Sequence, residues 1–332
     1  MPEPIQLETK DGLYLPEADL WLDPHRKHRW AFVSHGHADH FARHDRIITS
    51  KPNAHILRAR YNVTPSRLEP LEFQQPFDHK GFTIRLFPAG HIYGSAMIHL
   101  TRKSDGATLL YTGDFKARRG LTAEEPVFRQ ADTLIMETTF GKPQFVFPTI
   151  TEVSGDILNF VNTALEEGAT PVLHAYSLGK AQEALAILTE ARIPAILNSA
   201  TAKMTTACRE AGAGLPEPVL FQGTVPAGSC LICPPNSLHK DKYKGVENPR
   251  SAMLSGWALI PGAKYRYRCD AIFPLSDHAD FPGLLEAVNR IRPKRILTVH
   301  GFTQEFATEL RRLNHDAWSI DGDDQLELAL RV

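Results

Sequence analysis

The sequence predicts an α/β protein, either two domains or one large unit, on three observations. Its 332 residues are too many for one small core. An apolar content of 42% and a charged content of 23% are ordinary for a globular chain and argue against disorder. Short aromatic and β-branched runs alternate with turns punctuated by Gly and Pro in the first third, and helix-period patterns join them further on.

The N-terminus, Met-Pro-Glu-Pro-Ile-Gln-Leu-Glu, has no basic n-region and no apolar h-region, and no run has the length of a bilayer span. The expectation is a cytoplasmic protein with no membrane partner. The net charge of −1 creates no general attraction to nucleic acid. Local basic clusters are present at Arg26, Lys27 and Arg29; at Lys116, Arg118 and Arg119; at Lys240, Lys242 and Lys244; and at Lys264, Arg266 and Arg268. Each reads as a solvated face unless a phosphodiester is bound near it. Cys208, Cys230, Cys233 and Cys269 do not make a disulfide framework. Cys230 and Cys233 lack the second C-x-x-C of a zinc ribbon, and their surroundings read as a buried strand in which cysteine is a small hydrophobe.

In chain order, Leu20-Trp-Leu-Asp reads as a strand ending at Asp23. Arg29-Trp-Ala-Phe-Val is a second strand, and Ser-His-Gly-His-Ala-Asp-His follows it from Ser34 to His40. Three imidazoles (His35, His37, His40) and the carboxylate of Asp39 suit a borderline divalent ion such as zinc. Neighbouring residues in a tight turn point different ways, so His35 and His37 can hold one ion while Asp39 and His40 face a second. His91 lies in Ala-Gly-His-Ile-Tyr-Gly, where glycines permit close backbone approach. Asp114 ends the strand Leu-Leu-Tyr-Thr-Gly-Asp. Taken alone, each of these two is weak.

Thr133-Leu-Ile-Met-Glu is another strand, ending in Glu137. A helix is expected from about Thr151 to Glu167, with Gly168 as its stop. The strand at Pro171-Val-Leu-His then runs through Tyr176 and Ser177 into a second helix. Ser177 is the expected N-cap, and the Ser-Leu-Gly-Lys turn offers N–H groups and Lys180 to a phosphate, although it is not a Walker A loop. Residues 190–250 are uninformative. Ser255 opens Ser-Gly-Trp. A strand at Ala271 leads to His278, on the loop before a helix whose first turn holds Pro282. His300 ends the strand Arg-Ile-Leu-Thr-Val-His.

The ordered motifs of Ser34–His40, His91, Asp114, Glu137, His278 and His300 resemble those of the metallo-β-lactamase fold, β-CASP nuclease family. The resemblance covers nearly the whole chain. It implies an αββα sandwich, residues 1–145 and 266–332, interrupted by a smaller α/β β-CASP domain at 146–265. It further implies two divalent metal ions, Zn2+ with Mn2+ as the alternative. His35, His37 and His91 would hold the first ion, Asp39, His40 and His300 the second, with Asp114 shared. Asp39, Asp114, Glu137 and His278 form the expected catalytic set, His278 serving the departing oxygen and Glu137 orienting it. Tyr176, Ser177, Lys180 and Ser255 are the expected substrate contacts.

Within the family, the runs beginning at Tyr176, Ser255 and Leu275 resemble those of bacterial ligase-associated DNA damage response exonucleases. That resemblance implies a two-metal DNA exonuclease in DNA repair, in functional partnership with an ATP-dependent DNA ligase and a helicase, while resemblance to the crosslink-repair nucleases implies 5′ to 3′ digestion of single-stranded ends. His300 points the other way, because RNA-acting members carry histidine there while DNA-acting members commonly carry valine. An RNA-processing ribonuclease of the same family is therefore the second reading. A small-molecule hydrolase fits the long insertion less well, and a scaffold that has lost its ligands does not fit an intact ligand set.

Overall fold

The computed structural model describes residues 2–9, 12–235 and 245–320; the cluster of Lys240, Lys242 and Lys244 lies outside the described residues. The chain divides into two compact units. One comprises Met1–Arg119, Ala123–Val146 and His278–Val332, the other Gly120–Thr122 and Phe147–Asp277.

The first unit holds two sheets. Leu13–Leu15, Leu20–Leu22, Trp30–Phe32, Arg46–Ser50 and Leu68–Leu71 form one of five strands, in that spatial order. The second has seven, in the order Ala317–Ser319, Arg295–Gly301, Thr133–Thr138, Thr108–Tyr111, Ala96–Arg102, Phe82–Pro88 and Phe77–His79. The strand Thr133–Thr138 is buried at every position because both faces of its sheet are covered. Side chains alternate across a strand. Leu109, Tyr111 and Ile135 thus point into the core between the sheets, where they meet Leu22, Phe32 and Ile48. Leu110, Leu134 and Met136 point to the opposite face and pack on Leu284, Val288, Phe306 and Leu310. Those four belong to helices Phe281–Ile291 and Thr303–Arg312. Helix Lys51–Tyr61 covers the outer face of the five-stranded sheet through Ala54 and Leu57. The layering is helix, sheet, sheet, helix.

In the second unit, six strands pair in parallel in the order Val219–Leu220, Ala195–Leu197, Cys230–Cys233, Thr170–His174, Pro249–Leu254 and Ala271–Phe273. Cys230 and Cys233 are buried, unbridged and central in this sheet. Ala271–Phe273 pairs with Pro249–Leu254. This pairing places residues 266–277, grouped with the outer domain from sequence, in the second unit. Helix Ile150–Glu166 starts at a capping box in which Thr149 and Glu152 satisfy each other's backbone N–H.

Ser177 is not an N-cap. Helix Lys180–Glu190 begins after Gly179, whose φ of 97° favours glycine, and Gln182 Oε1 accepts from the Gly179 N–H at 2.7 Å. No helix among the described residues is long and apolar enough to cross a membrane.

Candidate metal centre

All of the sequence-predicted metal ligands belong to the first unit; His300 lies within the strand Arg295–Gly301 and the others on loops that leave its strands. His35 and His37 follow the strand Trp30–Phe32, and Asp39 and His40 lie in the short 3-10 turn Ala38–His40. His91 sits between Phe82–Pro88 and Ala96–Arg102, and Asp114 follows Thr108–Tyr111. Gly113, at φ 54°, lets the Asp114 loop close on the first loop. A Cβ there would lie 2.6 Å from the Ser34 side chain.

The ligand atoms converge. His35 Nε2 and His91 Nε2 each lie 3.1 Å from His37 Nδ1, and they are 3.7 and 3.8 Å from Asp114 Oδ2. Zinc–nitrogen bonds of ~2.0–2.1 Å in a tetrahedron require ligand-to-ligand edges of about 3.3 Å. The four donors fit a divalent ion on this test, and their atoms all fall within 4.8 Å of one another. On the other side of Asp114, its Oδ2 lies 3.3 Å from His40 Nε2, which is 3.9 Å from Asp39 Oδ2. Asp39 is the exposed member of the set. The His300 ring stands 5.5 Å from that of His40. Three imidazoles thus surround one position, with a second, more open group beyond the shared carboxylate.

Charge is organised to match. Burial, then the neighbouring His40, His91 and His37, hold His35 well below its usual range, so it is neutral and able to ligate. Burial opposes charge on His40 and Asp114 as well, but here their mutual attraction wins. His40 rises well above the histidine range with help from Asp23, and Asp114 falls well below the carboxylate range.

Asp23 is the residue that sequence reasoning missed. Buried at the end of Leu20–Leu22 with φ 44°, it accepts from the Ser34 N–H at 2.7 Å, Ser34 Oγ at 2.5 Å, His40 Nδ1 at 3.0 Å and the Tyr111 hydroxyl at 2.9 Å. The Ser34 hydroxyl gives its one proton to Asp23, so it accepts from His35 Nδ1–H at 2.9 Å. One carboxylate thereby fixes the tautomer of two ligands and turns both Nε2 atoms inward. The available signal was a lone Asp-Pro at a strand end, which many turns share.

Glu137 is the penultimate residue of the strand Thr133–Thr138 and is 1% exposed. Its Oε1 accepts from the Phe115 N–H at 2.7 Å, and Thr139 Oγ1 donates to its Oε2. Both oxygens face His278 Nδ1, at 2.9 and 3.0 Å. This places the His278 proton on Nδ1 and makes Nε2 its exchanging nitrogen. The His278 ring lies 4.6 Å from the His91 ring. His300 has φ 55° and is followed by Gly301 at φ 85°, beside a register shift between Glu137 and Thr138. A Cβ on Gly301 would lie 2.5 Å from the Thr138 carbonyl, so this turn requires glycine.

The four expected substrate contacts all belong to the second unit. Tyr176 is 40% exposed, and Ser177 lies in the turn before Lys180. Lys180 is buried and ion-paired with the buried Asp277, so its charge is neutralised within its own unit and is not presented to a phosphate. The Ser255 hydroxyl is buried too and caps the turn Gly256–Leu259 by accepting from the Trp257 N–H at 3.2 Å.

Buried imidazoles converging on a strand-end carboxylate in a helix–sheet–sheet–helix sandwich define a metal-binding α/β protein of the hydrolase kind. Residues 266–318 match the family described as "Zn-dependent metallo-hydrolase RNA specificity domain". The chain is 43% identical over 333 residues to a protein of Opitutus terrae named "Probable DNA ligase", a match covering 99% of this chain and 32% of that protein. It is 26% identical over 295 residues to "DNA cross-link repair protein SNM1" of Arabidopsis thaliana, covering 80% and 60%. The chain therefore spans less than two thirds of either relative. A crystal structure of a protein of unknown function from Enterococcus faecalis V583 superposes with a TM-score of 0.59 at 14% identity, over 83% of this chain and 76% of that one, and is alike in fold. The chain belongs to the β-CASP family of the metallo-β-lactamase fold.

Proposed function

We propose that this chain is a metal-dependent phosphodiester hydrolase, specifically a DNA exonuclease of repair that digests single-stranded ends 5′ to 3′. The observation that carries the reading is the closure of His35, His37 and His91 on Asp114 Oδ2, with His278 held by Glu137 beside them. His35, His37 and His91 would hold one divalent ion and Asp39, His40 and His300 a second, with Asp114 between. Zinc fits the nitrogen-rich set, and manganese is the alternative. Bound there, such ions supply Lewis-acid charge to the scissile phosphate and acidify the attacking water.

The rest is the work of the chain itself. Asp23 and Ser34 aim the ligands. Glu137 orients His278, whose Nε2 delivers a proton to the departing oxygen. Tyr176, partly exposed with the Lys180 ammonium over its ring, offers an aromatic contact to a base and Ser177 a polar turn beside it, whereas Lys180 and Ser255 act as scaffold. We assign the second unit as the inserted domain of the family. The names of the two relatives support DNA repair and a link to a DNA ligase, which we take to be an ATP-dependent ligase working beside this chain, and to which we add a helicase.

RNA is the second reading, favoured by His300 and by the matched family's description. The test is a gel assay of matched end-labelled single-stranded DNA and RNA with zinc or manganese, comparing wild type with Asp114→Ala. Stepwise shortening of DNA from its 5′ end, absent in the variant, is the expected result. Internal cuts confined to RNA would replace this reading with the ribonuclease one.

A further inference from the structure

The second unit carries an aromatic and basic projection that the site described above does not use. Helix Ala263–Tyr267 is a single short turn set off by two residues of positive φ, Gly262 at 79° and Arg268 at 51°. Tyr265 on it is 85% exposed, the highest value among the large apolar side chains of the described residues. Lys264, Arg266 and Arg268 around it are also exposed. Among the described residues none of the three forms an ion pair, whereas Arg250 of the same unit pairs with Glu167 at 2.6 Å. The nearest acid in sequence, Asp270, forms no ion pair with them; its Oδ2 is turned to Ser251, accepting from the N–H at 2.7 Å and the hydroxyl at 3.1 Å.

A solitary exposed apolar residue needs no explanation, but an open tyrosine face inside a cluster of three uncompensated cations does. With a chain net charge of −1, this excess is local. The cations match a run of phosphates. The ring matches a base whose face is accessible, which a single strand offers and a duplex hides within its stack.

We propose that Tyr265, with Lys264, Arg266 and Arg268, is a docking surface for single-stranded nucleic acid, Tyr265 stacking on a base while the cations follow the backbone. The proposal deepens the nuclease reading and rests on it for the identity of the polymer. Binding there needs neither metal nor hydrolysis, so the two can fail separately.

The experiment measures fluorescence anisotropy of labelled single-stranded DNA and RNA oligonucleotides with the full chain in EDTA, together with metal-loaded turnover of a small activated phosphodiester. Tyr265→Ala is expected to weaken oligonucleotide binding roughly five- to 150-fold, the range of one lost base stack, while Tyr265→Trp retains it. Replacing Lys264, Arg266 and Arg268 with alanine is expected to reduce the slope of log affinity against log salt by about 2, at ~0.7 per phosphate contact. Turnover of the small substrate should not change in any of these variants, since they leave the metal ligands intact. Wild-type binding that all of these variants keep overturns the proposal and leaves the nuclease reading standing. A wild-type chain that neither binds nor cuts either polymer removes both.

Discussion

Asp23 Oδ2 accepts from His40 Nδ1 at 3.0 Å while His40 Nε2 faces Asp114 at 3.3 Å, so a single imidazole joins the supporting carboxylate to the shared one. Asp23 also holds the Ser34 hydroxyl, and through it the ring of His35. Truncating it frees two ligands at once. Asp23→Ala is expected to lower metal affinity about 10- to 100-fold, the usual cost of losing an orienting partner. Competition with a zinc-binding dye measures it directly. Unchanged affinity would mean that backbone packing, not this carboxylate, aims the rings.

His278 is tied to Glu137 through Nδ1, with the Glu137 oxygens at 2.9 and 3.0 Å. A residue that handles protons affects turnover without affecting metal content. His278→Ala should retain both metals by elemental analysis and lose about 10²- to 10⁴-fold in kcat. If the variant instead loses metal, His278 is a ligand and the proton must come from elsewhere.

Lys180 and Asp277 form a buried ion pair in the second unit, with side chains 8% and 2% exposed. Removing one partner strands the other charge away from water. Lys180→Met alone is expected to destabilise by about 3–5 kcal/mol, whereas Lys180→Met with Asp277→Leu should recover most of that loss. Chemical denaturation of both variants and of Asp277→Leu closes the cycle. A stable Lys180→Met chain with weakened oligonucleotide binding would return Lys180 to the substrate contacts.

The convergence of His35, His37, His91 and Asp114 was legible because the candidate ligands crowd one loop and the others close strands in a fixed order. Burial patterns were legible too: Cys230 and Cys233 lie within a strand buried at every position. What the chain did not announce was long-range. The role of Asp23 depends on a strand pairing that brings Ser34 and Tyr111 to it. The place of Ala271–Phe273 depends on its parallel pairing with Pro249–Leu254. Ser177 satisfied the composition rule for a cap, but Gly179 could adopt the backbone angle and Gln182 could reach back to it. Lys180 looked available because nothing local predicts a partner nearly a hundred residues away.

His44 gives the last prediction, and it concerns stability alone. The ring is fully buried, with Nδ1 3.2 Å from the His28 N–H and Nε2 3.3 Å from the Ala42 N–H. An imidazolium has no lone pair for either donor. Burial, reinforced by His28, accordingly lowers the His44 pKa to about 4. Above the unfolded value of ~6.5 both states are neutral and the group contributes nothing to pH dependence. As pH falls from there to about 4, the unfolded chain takes up a proton that the folded chain refuses, so stability declines. The decline reaches about 3 kcal/mol and stops below the folded pKa. His44→Asn keeps an acceptor and cannot titrate. Its stability measured by denaturant between pH 7 and pH 4 should fall less steeply than that of wild type by this amount, and parallel slopes would show that His44 protonates freely in the fold.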